Sequence, residues 1–319
     1  MEDNYLNAKL IINIMKPVKD IRLTKNTTIK QLVHEFHESG GFVAKKVGEG
    51  AIIFEKMLAD KKCVKFLSFP AAIIATGCRG IIRDLIKNKQ VDVIITTCGT
   101  LDHDLARCWK DYYHGSFEMD DVKLRKKGIN RLGNVLVPND SYGIVLEKKL
   151  LPMIEEIHQK KQVLSTREFC YEIGKRLDND DSILYWAAKN NIPIFVPGIT
   201  DGSVGSQIWM FRQKHPEFMI DVFADEQELA AIVFEAKKTG ALMIGGGISK
   251  HHTIWWNQFK DDGLDYVVYI TTAPEWDGSL SGARVREGIS WGKVAPQATH
   301  VTIEGDATVL LPLVVGGFF

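Results

Sequence analysis

The chain has no C-x-x-C pair. Its five cysteines, Cys63, Cys78, Cys98, Cys108 and Cys170, are scattered and odd in number, which argues against a zinc ribbon, a redox dithiol or a disulfide framework and predicts reduced thiols in a cytoplasmic protein. There is no block of basic residues. Forty Lys and Arg balance forty Asp and Glu over 319 residues, so neither nucleic acid nor an anionic membrane is expected as the main partner. A neutral balance also leaves a cationic substrate unrepelled. No N-terminal signal pattern is present, and the longest apolar runs, such as 308–319, fall short of the roughly 20 residues a membrane span needs. No tandem repeat, low-complexity tract or Pro/Gly/Ser-rich linker divides the chain, and no G-x-G-x-x-G fingerprint announces a standard dinucleotide fold.

What is present reads as α/β. Residues 1–27 mix charge and apolar side chains without a sustained period and are expected to form an arm. Helical spacing follows over 28–42, at Ile29, Leu32, Val33 and Phe36, and again over 44–59. From Val64 onward short apolar runs alternate with helical patterns. Strands are expected near 64–69, 91–97, 134–137, 192–198, 241–247, 265–271 and 300–305, with helices between them at 71–87, from about 102, 147–162, 166–177, 182–189, 227–239 and 250–260. Such runs predict a doubly wound, mostly parallel sheet buried on both faces, with right-handed crossovers, preceded by an N-terminal helical arm. Residues 1–60 are expected to pack as arm and helices on a single catalytic unit spanning 61–319. The charged stretch 115–133 suits a surface excursion or a subunit contact.

In an open α/β sheet, ligands bind outside the carboxyl ends of the strands. Thr97-Cys98-Gly99, Asp201-Gly202, Gly245-Gly246-Gly247 and Thr272-Ala273 each follow an expected strand, which makes a cofactor crevice plausible although each motif alone is weak. His251 and His252 adjoin the glycine triplet. Adjacent helical residues point about 100° apart, so the pair is a poor metal site, and no metal is expected. Asp102-His103-Asp104 reads as the acidic start of a helix.

The most chemically loaded stretch is EWDGSLSGARVREGISWGKV, 275–294. Its first part, with Asp277, Gly278, Ser279, Ser281 and Gly282, is loop chemistry. A short helix is expected over 283–291, placing Glu287 and Trp291 on one face, with Gly292 ending it and Lys293 emerging beside the Trp291 ring. An aromatic ring, a carboxylate and an amine would converge. That combination suits an organic polyamine, whose ammonium the ring and carboxylate attract and whose imine a lysine can attack.

This segment resembles the active-site signature of deoxyhypusine synthase, which ends in the Ser290-Trp291-Gly292-Lys293 wording. TTCGTLDHDL (96–105), GINRLGNVLVPN (128–139), ITDGSVGS (199–206), GGGISKHH (245–252), DYVVYITTA (265–273) and EGDATVLLPL (304–313) occur in family order, and the likeness extends over nearly the whole chain after about residue 15. HTIWW and DGSLSGAR match the wording of archaeal members.

The resemblance implies NAD as cofactor, contacted by Thr97, Cys98, Gly99, Asp201, Gly245, Gly246, Gly247, Thr272, Ala273, Asp277, Ser281, Asp306 and Ala307. It implies spermidine as aminobutyl donor, held by Trp291, Glu287, Tyr269, Gly278 and Ser279, with His251 handling a substrate proton. Lys293 would carry the aminobutyl group as a Schiff base before it passes to a lysine of the archaeal translation initiation factor 5A precursor. It also implies a homotetramer with shared active sites.

Four features depart from the eukaryotic pattern. His103 stands where the family has a glutamate, and Ala71 and Ala72 replace Ser and Asn. Ser206 and Leu280 replace two acids that anchor substrate ammonium groups. Trp255 replaces an amide residue. Two alternative readings are homospermidine synthase-like transfer to putrescine and a catalytically silent NAD- or polyamine-binding paralogue.

Overall fold

The computed structural model describes residues 15–319, so the first half of the expected arm lies outside the described residues. Residues 15–27 are exposed and lack regular structure; Lys16 and Lys19 both pair with Glu38 of the first helix. Thr28 opens that helix, α1 (Ile29–Ser39), with a capping box to Gln31, and Gly40 closes it in the left-handed conformation. Next come α2 (Phe42–Ala59), β1 (Cys63–Ser68), a 3-10 turn (Ala71–Ala75), α3 (Cys78–Lys87), β2 (Val93–Ile95) and α4 (Cys98–Trp109).

The excursion contains β3 (Tyr113–His114), α5 (Asp121–Lys126), β4 (Ile129–Leu132) and β5 (Val135–Pro138). The chain then runs through α6 (Gly143–His158), β6 (Val163–Leu164), α7 (Thr166–Gly174), α8 (Ile183–Asn190), β7 (Ile194–Phe195), α9 (Ser203–Arg212) and β8 (Met219–Ile220). It finishes with α10 (Val222–Glu235), β9 (Lys238–Ile244), α11 (Gly247–Asn257), β10 (Leu264–Thr271), the one-turn α12 (Glu287–Ser290), β11 (Val294–Glu304) and α13 (Ala307–Val315).

Six strands form one parallel sheet in the order β11-β10-β9-β1-β2-β7. Side chains alternate between two cores, as the twofold strand period requires. Phe66, Val93, Ile95, Ala241, Met243, Val267 and Tyr269 face one side, where Leu229 and Val233 of α10 cover them. Leu67, Ile94, Leu242, Ile244, Val268 and Ile270 face the other, against α1, α2, α3 and α13. Both faces are therefore buried, and the fold is the doubly wound α/β arrangement expected from the apolar runs. Val33, Val47, Ile53 and Phe54 of α1 and α2 belong to the same core as the strands.

Three expectations need correction. The strand at 134–137 joins not the main sheet but a separate antiparallel one, β3-β5-β4, because its partners are the hairpin neighbours of the excursion. The helix expected over 283–291 shrinks to the four residues of α12, since two turns at 279–283 and 284–288 bend the chain first. The acids of Asp102-His103-Asp104 do not serve the start of their own helix. Asp102 is fully buried and accepts hydrogen bonds from the Ser203 and Val204 amides, capping α9. Asp104, also fully buried, accepts from Ser182 Oγ and the Ile183 and Leu184 amides at the start of α8, and pairs with Arg79 at 2.7 Å. Two carboxylates of α4 thus tie that helix to three others, α3, α8 and α9.

Candidate active site

The sheet reverses its winding between β1 and β9: β2 and β7 lie to one side, β10 and β11 to the other. A cavity of about 380 Å³ opens there, outside the carboxyl ends of the strands, lined by Pro70 and Ala72 after β1, Gly245 after β9, Thr272 after β10, and Asp306 and Ala307 after β11. This is where an open α/β sheet accommodates a nucleotide. The residues fit such a group. Gly245 and Gly247 both have positive φ, and a Cβ on Gly246 would stand 2.2 Å from Ser281 Oγ, so only glycine lets the 275–283 loop lie against the end of β9.

Of the other expected cofactor contacts, Thr97 precedes α4, Gly99 packs against Ala71, and Asp201 and Asp277 are exposed beyond the strand ends. Ala273 presents its carbonyl to Arg284, and Asp306 caps α13 through Thr308. Cys98 is wholly buried at the start of α4, and that burial pushes the pKa of its thiol up.

A second cavity, of about 310 Å³, lies beside the glycine loop on the face covered by α11 and α12. Glu287, Trp291, Lys293, His251, Lys250, Trp255 and Leu280 line it. The sequence that ends in Ser290-Trp291-Gly292-Lys293 builds it through a helix-stop motif. Gly292 is left-handed at φ 67°, its amide donates to the Ile289 carbonyl, and the Lys293 amide donates to Gly288 at 2.9 Å. These are the paired bonds of a Schellman cap, with Gly292 at the position that favours glycine. The Lys293 carbonyl then accepts from the Leu264 amide at the start of β10, which fixes the backbone on both sides of the side chain.

Lys293 is 8% exposed, and its Nζ sits 5.0 Å from the Trp291 ring centroid and 5.5 Å from that of Trp255. Two indoles therefore flank one ammonium, a cation–π arrangement with aromatic walls on a polar head. Trp255 reaches the cavity because it lies one turn after His251 on α11, their rings 5.7 Å apart. His251 is held below its usual pKa by burial first and then by the charges of Lys293 and Lys250, so its imidazole is neutral at pH 7. His252 points the other way, to Glu226 of α10 at 3.5 Å. The two histidines do not converge, and neither belongs to a cluster of three metal-ligating side chains among the described residues.

Tyr269, Gly278 and Ser279 do not line this cavity. Tyr269 is entirely buried beneath it; its hydroxyl donates to the Ser281 carbonyl at 2.6 Å, as Thr271 Oγ1 does at 2.9 Å. It acts as a post under the loop, not a wall of the pocket. Gly278 and Ser279 form the exposed tip, tied by Ser279 to Asp277.

Sequence reasoning missed Lys250. It is 2% exposed, donates to the carbonyls of Leu280 at 2.7 Å and Ala283 at 2.6 Å, and lies 4.0 Å over the Tyr269 ring. Burial pushes its pKa down to about 8, against the attraction of Glu287. Nothing local marks it in the sequence, because the carbonyls it serves lie some thirty residues away. Of the replaced family acids, Leu280 lines the cavity and Ser206 does not; Ser206 Oγ donates to the Gly202 carbonyl on α9. His103 is half-buried against Tyr112, whose hydroxyl lies 2.9 Å from Nδ1.

Fold and site define a doubly wound α/β protein with a nucleotide-sized crevice at the switch point and an aromatic amine pocket around a buried lysine. The family model described as "Deoxyhypusine synthase" matches residues 31–318. A probable deoxyhypusine synthase of Picrophilus torridus is 57% identical over 305 residues, covering 96% of this chain and 97% of that protein. One from Ignicoccus hospitalis is 45% identical, with 95% and 96% covered. A crystal structure of a candidate deoxyhypusine synthase from Entamoeba histolytica superposes with a TM-score of 0.64 over 94% of this chain and 95% of that one; at 23% identity it speaks for the fold. The chain belongs to the deoxyhypusine synthase family.

Proposed function

We propose that this protein is an NAD-dependent aminobutyltransferase that moves the aminobutyl group of spermidine, by way of Lys293, to a lysine of the translation initiation factor 5A precursor. The observation that carries the reading is the placement of Lys293, buried between two indoles in a cavity that also holds Glu287 and His251. Family membership supports the reaction class.

The crevice residues Gly245, Thr272, Asp306 and Ala307 would hold the cofactor, and NAD when bound would accept a hydride from the carbon beside the substrate nitrogen and return it to the imine formed on the acceptor lysine. The protein's own groups do the rest. Trp291, Trp255 and Glu287 orient a substrate ammonium by ring and carboxylate attraction. His251, neutral at pH 7, takes the proton released from the substrate nitrogen. Lys293 Nζ attacks the carbon of the resulting substrate imine. The bond to 1,3-diaminopropane breaks, and the aminobutyl group stays on Lys293 as a Schiff base until the acceptor lysine displaces it. Lys250, bound to two loop carbonyls, is a positioning residue that holds Leu280 and Ala283 against the pocket.

The Trp291 ring is 66% exposed in the single chain, although it has to wall an amine site. This supports a homotetramer in which a neighbouring copy completes the pocket.

The test is intact-mass measurement of the factor 5A precursor after incubation with the protein, NAD and spermidine, with putrescine offered in parallel. A gain of one aminobutyl group that requires NAD is expected. An unmodified factor alongside homospermidine would overturn the assignment of the acceptor, and no transfer to either would overturn the reading as a whole.

A further inference from the structure

Away from the crevice and the amine pocket, three donor groups converge where α6 ends. His158 is the last residue of that helix, and His215 and Glu217 flank Pro216 in the turn between α9 and β8. One ligand atom from each lies within 4.8 Å of the other two. His158 Nε2 is 2.7 Å from Glu217 Oε1, and His215 Nδ1 is 3.5 Å from the same oxygen. Donors around a tetrahedral zinc ion, at bonds of 2.0–2.2 Å, stand about 3.3 Å apart, so only a small opening of the His158–Glu217 contact is required.

The imidazoles are held in place rather than free to wander. The His215 ring stacks on Phe211 at 4.4 Å and 16°, and His158 packs edge-on to Phe211 at 5.4 Å and Phe218 at 5.9 Å. The Phe218 amide donates to the His215 carbonyl, closing the turn that brings Glu217 round. On its far side, His215 Nε2 is 3.9 Å from Glu155 Oε2. A carboxylate at the second nitrogen is the usual outer partner of a metal-bound histidine, since it fixes the tautomer that leaves the other nitrogen free to ligate. An open groove of about 460 Å³, lined by Glu155, Phe211 and His215, gives an ion and its water access.

We propose that His158, His215 and Glu217 form a binding site for a divalent cation of the zinc class, with water in the fourth position and Glu155 orienting His215. Two imidazoles and one carboxylate are a nitrogen-and-oxygen set suited to zinc, not to calcium or magnesium. The ion would clip the end of α6 to the turn after α9, and its role would be structural, since none of the three lines the amine pocket.

Equilibrium dialysis of chelator-treated protein against Zn²⁺, with metal analysis, tests this, and Co²⁺ serves as a spectroscopic probe. One ion per chain is expected, with the intense visible absorption of four-coordinate cobalt. Glu217→Gln and His215→Gln should each weaken binding by roughly a hundredfold or more, and Glu155→Gln by about 10–100-fold. At a hundredfold excess over Kd, Zn²⁺ should raise the unfolding temperature by roughly 5 °C in the parent and not in Glu217→Gln. Aminobutyl transfer should be unchanged in all three variants. Absence of saturable Zn²⁺ binding, or equal binding by the parent and the Glu217 and His215 variants, would overturn the proposal. Both replacements are on partly exposed side chains, and retention of transfer activity certifies that the variants are folded.

Discussion

Lys293 and His251 carry different halves of the proposed chemistry, and single substitutions separate them. Lys293→Ala removes the only atom assigned to hold the aminobutyl group, so transfer should be abolished while NAD still binds, as checked by mass spectrometry beside a cofactor titration. His251 acts in its neutral form, and its pKa lies below the ordinary 6.5 because burial and two neighbouring lysines oppose its protonation. The acidic limb of the kcat/KM profile should therefore fall below pH 6.5, and a limb above that value would remove His251 from the role.

His103 and His252 make a separate, thermodynamic statement. Burial lowers both to about 4, with the charge of Arg107 adding to the effect at His103 and that of His251 at His252. A depressed histidine contributes stability that is present above its unfolded pKa and lost as pH falls toward the folded one. Between pH 7 and pH 5 each should cost roughly 2 kcal/mol of folding stability. Urea unfolding of His103→Gln against the parent at the two pH values should show a shallower loss by about that amount.

At the scale of elements, one carboxylate holds helices together and one cap aims the pocket lysine. Asp104 joins α4 to α8 and neutralises the buried Arg79, so Asp104→Ala leaves three hydrogen bonds unmade and a guanidinium uncompensated. A loss of about 3–5 kcal/mol is expected in denaturant unfolding, the range for breaking one partner of a buried pair. Gly292→Ala forces a Cβ into φ 67° at the end of α12, which costs about 1 kcal/mol. Its larger effect should be on kcat, by roughly 10- to 100-fold, because the Schellman cap sets the direction of Lys293. Unchanged kcat in that variant would mean that the cap does not control the nucleophile. The sequence announced this cap through Gly292, yet the helix expected over nine residues is only four long, because Lys250 and Tyr269 pull the preceding loop inward from other elements.

For the whole molecule, the property at stake is the proposed assembly. Trp276, in the turn at 275–277, is 87% exposed and Trp291 66%. Exposed indoles of this kind fit burial by another copy. Light scattering should give four chains, and Trp276→Glu should shift the particle to smaller species with a matching fall in transfer activity; a stable, fully active monomer would refute the shared site. The sequence by itself determined the parallel sheet, because apolar runs at strand length imply two covered faces. It also grouped Lys293, Trp291 and Glu287, because their types and spacing are local, whereas His251 entered only through the family resemblance. Only the tertiary structure decided that Trp255 and Lys250 reach the same pocket, that Tyr269 supports it from beneath, and that Asp102 and Asp104 cap helices other than their own. Those contacts join segments from 12 to 102 residues apart, and no local period or spacing encodes which distant carbonyl or amide a buried polar group will meet.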